Sequence, residues 1–313
     1  MPIIMKKVLA TLFAVALGLN LSAQDDCEPS PDLNQDGVVG MNELLTLLTA
    51  FGDFDMDFDG IWDSVDDCVG AYDECGICNG EGVPCPCVGP VEFDSFAYNL
   101  VQINGQCWFK ENLRTEVYSN GDSVGLYISA ENWTTTSQGA MTVYGQGDAY
   151  CSESTSLNSC DEAVSLEMYG RLYNGFAVLD ERGICPEGWR VPTDFDWQQL
   201  ESFLGMSEVD LEQWGHVRGI DVQAGLALKA QYGWYANGNG NDSLGFSALP
   251  GGGCHLTGYF VQAGDFGRWW TSTVTTQFMP GHVITRNIDR NAFGISRDPN
   301  DLNDGRSVRC VRD

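Results

Sequence analysis

The stretch that decides the fold is Tyr98-Asn99-Leu100-Val101-Gln102-Ile103-Asn104-Gly105-Gln106-Cys107-Trp108-Phe109. Residues 98–103 have the alternation of a half-buried β-strand. Asn104-Gly105 is a strong signal for a tight turn, because both residues tolerate the positive φ that two-residue hairpin turns require. The apolar residues after the turn predict a returning strand. The stretch therefore predicts a β-hairpin.

A helix is predicted further along the chain. Thr193 stands at an N-cap position, and Asp196 three residues later completes a capping box. The apolar face of this helix is marked by Trp197, Leu200 and either Phe203 or Leu204. A second helix is expected at about 222–231, with short twisted strands and long loops elsewhere. Residues 91–313 therefore predict one α+β domain with two helices, of a length that is normal for a single core.

Two acidic loops precede this domain and fit the calcium-loop pattern D-x-[DN]-x-[DN]-G-x5-E, the second with Asp at the final position. They are Asp32, Asn34, Asp36, Gly37 and Glu43, and then Asp55, Asp57, Asp59, Gly60, Asp63 and Asp66. Ca²⁺ takes about six to eight oxygen ligands, and the central glycine permits the tight turn that gathers them. The sequence therefore predicts two calcium sites; a disordered acidic linker is the alternative.

Most of the predicted calcium ligands are side-chain oxygens. They belong to Asp32, Asn34, Asp36 and Glu43 in the first loop and to Asp55, Asp57, Asp59 and Asp66 in the second. Val38 and Ile61 each contribute a backbone carbonyl, and Asp63 acts through water. No Lys or Arg occurs between Lys7 and Lys110. We therefore expect bound Ca²⁺ to let this acidic region become compact.

The acidic region resembles two kinds of calcium-binding repeat. Apolar residues recur at helical spacing after the first loop, at Leu44, Leu47, Leu48 and Phe51. Residues 25–54 are thus similar to one half of a dockerin, the calcium-dependent plug of cellulose-degrading assemblies. Residues 55–90 resemble a thrombospondin type 3 repeat followed by a Cys-rich linker. Together they predict an acidic, disulfide-containing stalk.

Residues 1–24 have the pattern of a secretory signal peptide. Lys6 and Lys7 precede an apolar run, and Ser22-Ala23 offers a cleavage site. The run is shorter than the roughly 18–20 residues of a membrane span, so no span is expected. In an oxidising compartment the even count of 12 cysteines indicates disulfides rather than zinc thiolates. We expect a protein that is secreted or held at the bacterial surface.

Composition and motifs argue against several classes of function. The formal net charge of −28 is opposite to the basic surface that nucleic-acid phosphates require. His216, His255 and His282 are far apart and belong to no catalytic motif. No catalytic residue is predicted, and the protein is expected not to be an enzyme.

Six stretches of the second region carry a family resemblance. They are INGQCWFKENLR (103–114), GRLYN (170–174), CPEGWRVPT (185–193), GFSALPGG (245–252), WWTST (269–273) and SVRCVRD (307–313). In this order they resemble the Fibrobacter succinogenes major paralogous domain over residues 92–313. The resemblance implies an exported domain of unassigned activity, with a fold similar to the C-type lectins.

The resemblance also has implications for the cysteines. It puts Cys185 and Cys310 where this fold usually closes a structural disulfide. We expect Cys151–Cys160 as a bridge within a loop, which leaves Cys107–Cys254 as the third pair. Residues 190–197 are also similar to the formylglycine-generating relatives of the fold, which hold copper with a pair of cysteines. The cysteines here are scattered singly, and the calcium-ligand triplets of sugar-binding lectins do not occur.

Aromatic residues offer one further candidate surface. Trp269-Trp270, together with Tyr232, Trp234 and Tyr235, either stack on sugars or pack in the core and its rim. Packing is the favoured interpretation.

These features predict a secreted, non-catalytic protein in which a calcium-stiffened stalk presents a lectin-like domain to an extracellular polysaccharide or surface protein. The alternative is an accessory to polysaccharide breakdown, docked through its dockerin-like segment onto a cohesin-like partner. A copper-dependent modifying enzyme is a third hypothesis, which requires at least two free thiols.

Overall fold

The computed structural model describes residue 41 and residues 87–127, 129–147, 158–276 and 279–313. The chain divides into two units, Met1–Val83 and Pro84–Asp313, and the architecture below is that of the second. The signal segment, both predicted calcium loops with all their ligands, and Cys151 lie outside the described residues.

Short strands dominate the second unit. They are β1 Val91–Phe93, β2 Phe96–Tyr98, β3 Leu100–Ile103, β4 Gln106–Phe109, β5 Gly125–Leu126, β6 Ala140–Val143, β7 Arg171–Asn174, β8 Trp189–Arg190, β9 Val217–Arg218, β10 Gly253–Cys254, β11 Phe260–Val261, β12 Phe266–Val274, β13 Val283–Asp289, β14 Ile295–Asn300, β15 Gly305–Arg306 and β16 Val311–Arg312. The helices are α1 Ala130–Thr135, α2 Glu162–Tyr169, α3 Gly175–Val178, α4 Asp194–Phe203, α5 Glu208–Glu212 and α6 Ala224–Leu228. The predicted α+β class is confirmed.

The strands form four sheets. Their orders are β1-β2, β11-β10-β15-β7-β6-β5, β12-β13-β14-β9 and β3-β4-β16-β8. Strand β16, close to the C-terminus, lies between β4 and β8, with Val311 opposite both Trp108 and Arg190. Residues from both ends of the domain therefore lie side by side in one sheet.

The predicted hairpin is confirmed. Strands β3 and β4 pair antiparallel, with Ile103 opposite Gln106. Asn104 and Gly105 have φ of 50° and 80°, the positive values that a tight turn between twisted strands requires. The turn chemistry thus fixes the register of the first sheet.

Helix α4 begins as predicted. Thr193 accepts a hydrogen bond from the Asp196 N–H while the Asp196 carboxylate accepts from the Thr193 N–H, and this exchange completes the capping box. Trp197 and Leu200 are buried, and the apolar face continues at Leu204, which packs against the core. Phe203 points outward and is exposed.

The expectation of two helices is wrong, because six lie among the described residues. The helix expected at 222–231 is the shorter α6. Gln223 before it has a left-handed φ of 54°, and Ala230 after it donates to the Ala248 carbonyl at 2.9 Å. The chain leaves the helix early because Ala230 pairs with another segment.

A buried ion network attaches α4 to the sheet that contains β13. The Glu201 carboxylate accepts from Arg218 at 2.9 Å and from Arg286 at 2.6 Å, and all three side chains are fully buried. Asp194 pairs with Arg286 at 2.7 Å and with Arg297 at 2.5 Å. Buried charges need such partners, because an unpaired ion in the interior is costly.

The disulfides agree with the expectation in one case and contradict it in another. Cys185 and Cys310 are bonded, as the resemblance implies. The Cys107–Cys254 pairing is wrong, because Cys107 is bonded to Cys87. Cys254 is buried in β10, on a different sheet from Cys107. The Cys151–Cys160 bridge stays a prediction, since Cys151 is not among the described residues.

Candidate functional site

A polar pocket opens beside the start of the segment that follows β4. Its volume is about 380 Å³, within the range of small-ligand sites. It is lined by Lys110, Glu111, Asn112, Arg114, Glu167, Met168, Gly170, Tyr232, Ser247, Leu249 and Arg309. Most of these side chains carry hydrogen-bonding or charged groups, so the pocket suits a polar ligand.

Segment 110–114 forms one wall and runs beside the C-terminal stretch. The Leu113 N–H donates to the Val308 carbonyl at 2.8 Å, and the Lys110 N–H donates to the Asn99 carbonyl at 2.8 Å. Glu111 accepts from both the N–H and the side-chain amide of Asn99, at 2.8 and 2.9 Å. These bonds hold the backbone of the wall and direct the Glu111 carboxylate toward Asn99.

Gly170 allows α2 to end against this wall. Its φ is 72°, and a β-carbon there would lie 2.8 Å from the Leu113 carbonyl oxygen. Both the left-handed backbone and the close approach therefore require glycine. The arrangement brings Glu167 and Met168, at the end of α2, to the rim of the pocket.

Asn112 lies behind the pocket, and its side-chain amide is hydrogen-bonded to several segments of the chain. Its amide nitrogen donates to the Tyr169 carbonyl at 2.8 Å and to Ser307 Oγ at 3.3 Å. Its Oδ1 accepts from Trp269 Nε1 at 2.8 Å and from Arg309. A single side chain thus joins segments from four parts of the chain.

Arg309 is 1% exposed and forms the inner wall. Its guanidinium donates to Asn112 Oδ1 and to the Phe246 carbonyl, and it lies 4.2 Å from the Phe246 ring centroid. Burial lowers the pKa of Arg309 to about 9, while the more distant Glu111 and Asp242 carboxylates raise it. The group is still a cation at neutral pH.

Ser247 is held by Asp242 on the opposite side. The Ser247 N–H and hydroxyl both donate to the Asp242 carboxylate at 2.7 Å. Ser247 has a left-handed φ of 55°, which is uncommon for a residue other than glycine. The two bonds to Asp242 stabilise that conformation and fix the Ser247 side chain in the wall.

The aromatic residues divide between core and surface. Trp269 and Trp270 are fully buried and Trp234 is buried, which agrees with packing as the favoured interpretation. Tyr232 is 55% exposed and lines the pocket. Its ring is therefore available to a ligand.

Comparison with known proteins adds one result. The sequence model of the Fibrobacter succinogenes major domain matches residues 101–312. The chain belongs to this family. Every residue that lines the pocket lies within the matched range of the Fibrobacter succinogenes major domain. No curated protein and no solved structure matches the chain.

The pocket residues were not predicted as a site, although the signal was present in part. Four of the six stretches that carry the family resemblance line the pocket, namely those at 103–114, 170–174, 245–252 and 307–313. Glu167 and Tyr232 lie outside these stretches. Tyr232 is among the aromatic residues considered above as a sugar-stacking surface, whereas nothing in the sequence singles out Glu167.

Within 87–313, apart from its three undescribed gaps, no cluster of three or more His, Cys, Asp or Glu could hold a metal ion. In the same part of the chain, no helix has the length and apolar character needed to cross a bilayer. Both predicted calcium loops lie outside the described residues and stay a prediction.

Proposed function

We propose that this chain is a secreted, non-catalytic, calcium-binding surface protein whose domain at 91–313 binds an extracellular polysaccharide through the pocket. The pocket is the observation that carries the proposal. Sugars present hydroxyl groups that both donate and accept, and the walls offer guanidinium, ammonium, hydroxyl and carboxylate groups at fixed positions. The half-exposed ring of Tyr232 adds an apolar surface on which a sugar ring can stack.

The side chains of the pocket favour binding over catalysis. The Ser247 hydroxyl donates to Asp242, and the lining contains no histidine that could act as its base. Glu111 is turned toward Asn99, so it is not free to face Glu167 as the second carboxylate of a glycosidase. A protein that holds a glycan without cleaving it fits this arrangement.

The disulfides support export and the lectin-like interpretation of the fold. Cys185–Cys310 and Cys87–Cys107 suit an oxidising compartment. Because Cys107, Cys185 and Cys310 are bonded, their thiols cannot serve the copper-dependent hypothesis. Short strands, short helices and a disulfide to the C-terminal stretch are in keeping with a C-type-lectin-like domain. The calcium-binding stalk, part dockerin-like and part thrombospondin-like, would present that domain at the surface.

The test is a glycan array probed with the full-length, disulfide-intact protein, followed by measurement of affinity for the best ligand. Tyr232→Ala should weaken binding by about two- to tenfold, because stacking on an aromatic ring contributes on the order of 0.5–1.5 kcal/mol. Tyr259→Ala is the matched control, since Tyr259 is also exposed, at 57%, and does not line the pocket. No binding, or equal loss in both variants, would contradict the proposal. Release of new reducing ends would contradict the non-catalytic part.

A further inference from the structure

Three cations line the pocket of this strongly acidic chain. Lys110, Arg114 and Arg309 meet there, although the whole sequence has only 16 Lys and Arg and a net charge of −28. Because basic residues are scarce in this chain, composition alone does not account for three of them in one polar cavity.

None of the three cations is ion-paired with a carboxylate among the described residues. Across the described residues, ion pairs hold other arginines, such as Arg182 with Asp180 and Arg218 with Glu201, while Lys110, Arg114 and Arg309 form none. The Arg309 guanidinium is buried and donates only to uncharged oxygens. Its direct partners are thus dipoles and aromatic rings rather than a carboxylate, which is a costly arrangement for a buried charge.

Arg114 has unused hydrogen-bonding capacity. Its Nε is buried and has no hydrogen-bond partner in the structure. The guanidinium lies 5.6 Å from the Phe96 ring centroid, which holds it by a cation–π contact rather than by an ion pair. Unsatisfied buried donors are rare in folded proteins, so the Arg114 guanidinium is not saturated by contacts within the protein.

The two acidic residues of the pocket do not cancel these cations. Glu111 has both oxygens engaged by Asn99. Glu167 is exposed on the last turn of α2, where solvent screens its charge. The lining therefore has three cations against two carboxylates, in a chain whose net charge is −28.

We propose that the pocket selects an anionic sugar unit, whose carboxylate or sulfate oxygens accept hydrogen bonds from Arg114 and Lys110. This inference rests on the proposed function and specifies the ligand class of the same site. Guanidinium groups bind planar or tetrahedral oxyanions through charge-assisted hydrogen bonds, which are about twice as strong as neutral ones. The positive charge of Arg309, in the inner wall, attracts the anionic group of the ligand, and Tyr232 stacks on the sugar ring.

The test is calorimetric titration of the full-length protein with two matched pairs of oligosaccharides. One pair is oligogalacturonate and the same oligomer with its carboxylates methyl-esterified; the other is a chondroitin sulfate oligosaccharide and its desulfated form. The acidic member of at least one pair should bind at least about tenfold more tightly than its partner in that pair. A preference within the first pair identifies a carboxylate, and one within the second a sulfate; both support the inference.

Variants distinguish the pocket from a general charge effect. Arg114→Gln and Lys110→Met should each remove most of the preference, so that each variant binds the acidic and neutral members of a pair with similar affinity. Arg182→Gln, which removes a charge outside the pocket, should leave the preference intact. Lys110 makes no side-chain hydrogen bond or ion pair among the described residues, so its variant stays informative if Arg114→Gln fails to fold.

Two results would overturn the inference. Equal affinity for the acidic and neutral members of both pairs, or a preference that survives in both pocket variants, would refute anionic selection while polysaccharide binding still stood. Absence of binding to all four oligomers, with strong binding to a neutral glycan on the array, would refute it as well. Absence of binding to any glycan would instead remove the proposed function itself.

Discussion

Asn112 and Arg309 lie 197 positions apart in the chain, and Asn112 Oδ1 accepts hydrogen bonds from Arg309 Nε at 3.3 Å and Nη2 at 3.2 Å. The same oxygen accepts from Trp269 Nε1. One amide therefore fixes the inner wall of the pocket and also joins the segment after β4 to strand β12 and to the C-terminal stretch. Asn112 therefore contributes both to the wall of the pocket and to the hydrogen bonding of the core.

Asn112→Ala should destabilise the domain by about 2–4 kcal/mol. The variant leaves the Trp269 indole N–H, the Arg309 guanidinium and the Tyr169 carbonyl short of a partner in the interior, and each buried orphan costs roughly 1–3 kcal/mol. Equilibrium denaturation measures the change. Asn291→Ala removes an exposed amide and should change the free energy of unfolding by less than about 0.5 kcal/mol. Equal values for the two variants would contradict the role of Asn112.

Asp194 should give the domain part of its sensitivity to acid. Burial raises the pKa of Asp194, but the hydrogen bonds and charges of Arg297 and Arg286 outweigh burial and hold it below 3.8. A carboxyl group whose pKa is lower in the folded state than in the unfolded state stabilises the fold at pH values above its unfolded pKa. That stabilisation is lost as the pH falls through the folded pKa. The loss should therefore appear below about pH 3.8.

Asp194→Asn tests this dependence. The variant should be less stable at neutral pH, because Arg286 and Arg297 lose a charged partner, and should lose less further stability between pH 4 and pH 2 (approximate limits set by the ordinary carboxyl pKa). Denaturation midpoints across this range measure both effects. The exposed Asp221 serves as control through Asp221→Asn. An unchanged acid slope in the Asp194 variant would count against the ion network.

The two described disulfides should differ in their contribution to stability. Cys185–Cys310 spans 125 positions and Cys87–Cys107 spans 20. In the chain-entropy account the longer loop contributes about 5 kcal/mol and the shorter about 3 kcal/mol. The double variant Cys185→Ser with Cys310→Ser should therefore unfold more easily than Cys87→Ser with Cys107→Ser. Peptide mapping without reduction checks the pairs, and a Cys107–Cys254 peptide would refute the assignment.

Turn and cap chemistry made the hairpin and helix α4 predictable. Asn104-Gly105 and the Thr193–Asp196 box are local signals whose geometry leaves few alternatives. The short helices were missed because four to eight residues cannot display an amphipathic pattern. Their N-caps were readable nevertheless: the side chains of Ser129, Asp161, Asn174 and Ser207 all accept from the first turn.

Contacts between distant parts of the chain could not be predicted. Nothing local in the sequence indicates that Cys107 faces Cys87 rather than Cys254, because disulfide pairing depends on which strands become neighbours. The pocket is formed in the same way, since Asn112 and Arg309 are brought together where β16 pairs with β4. Helix α6 ended early for a similar reason, since Ala230 pairs with Ala248.

The predicted calcium loops make a separate, measurable claim. Full-length protein should bind Ca²⁺ with measurable heat and become more compact, because bound cations neutralise the clustered carboxylates. Asp36→Asn combined with Asp59→Asn should abolish the compaction seen by small-angle X-ray scattering. A double variant, Asp221→Asn with Asp313→Asn, is the charge-matched control, since both residues are exposed and lie outside both loops. Unchanged titration heats in the loop variant, or an EDTA-treated wild type of identical size, would contradict the assignment.

The most direct test of the central claim is a crystal structure of the full-length protein with the oligosaccharide that gives the strongest array signal. The account predicts a sugar unit in the cavity, with its ring against Tyr232 and its polar groups within hydrogen-bond distance of Arg114 or Lys110. A sugar bound elsewhere on the surface, with the cavity filled only by water, would contradict it.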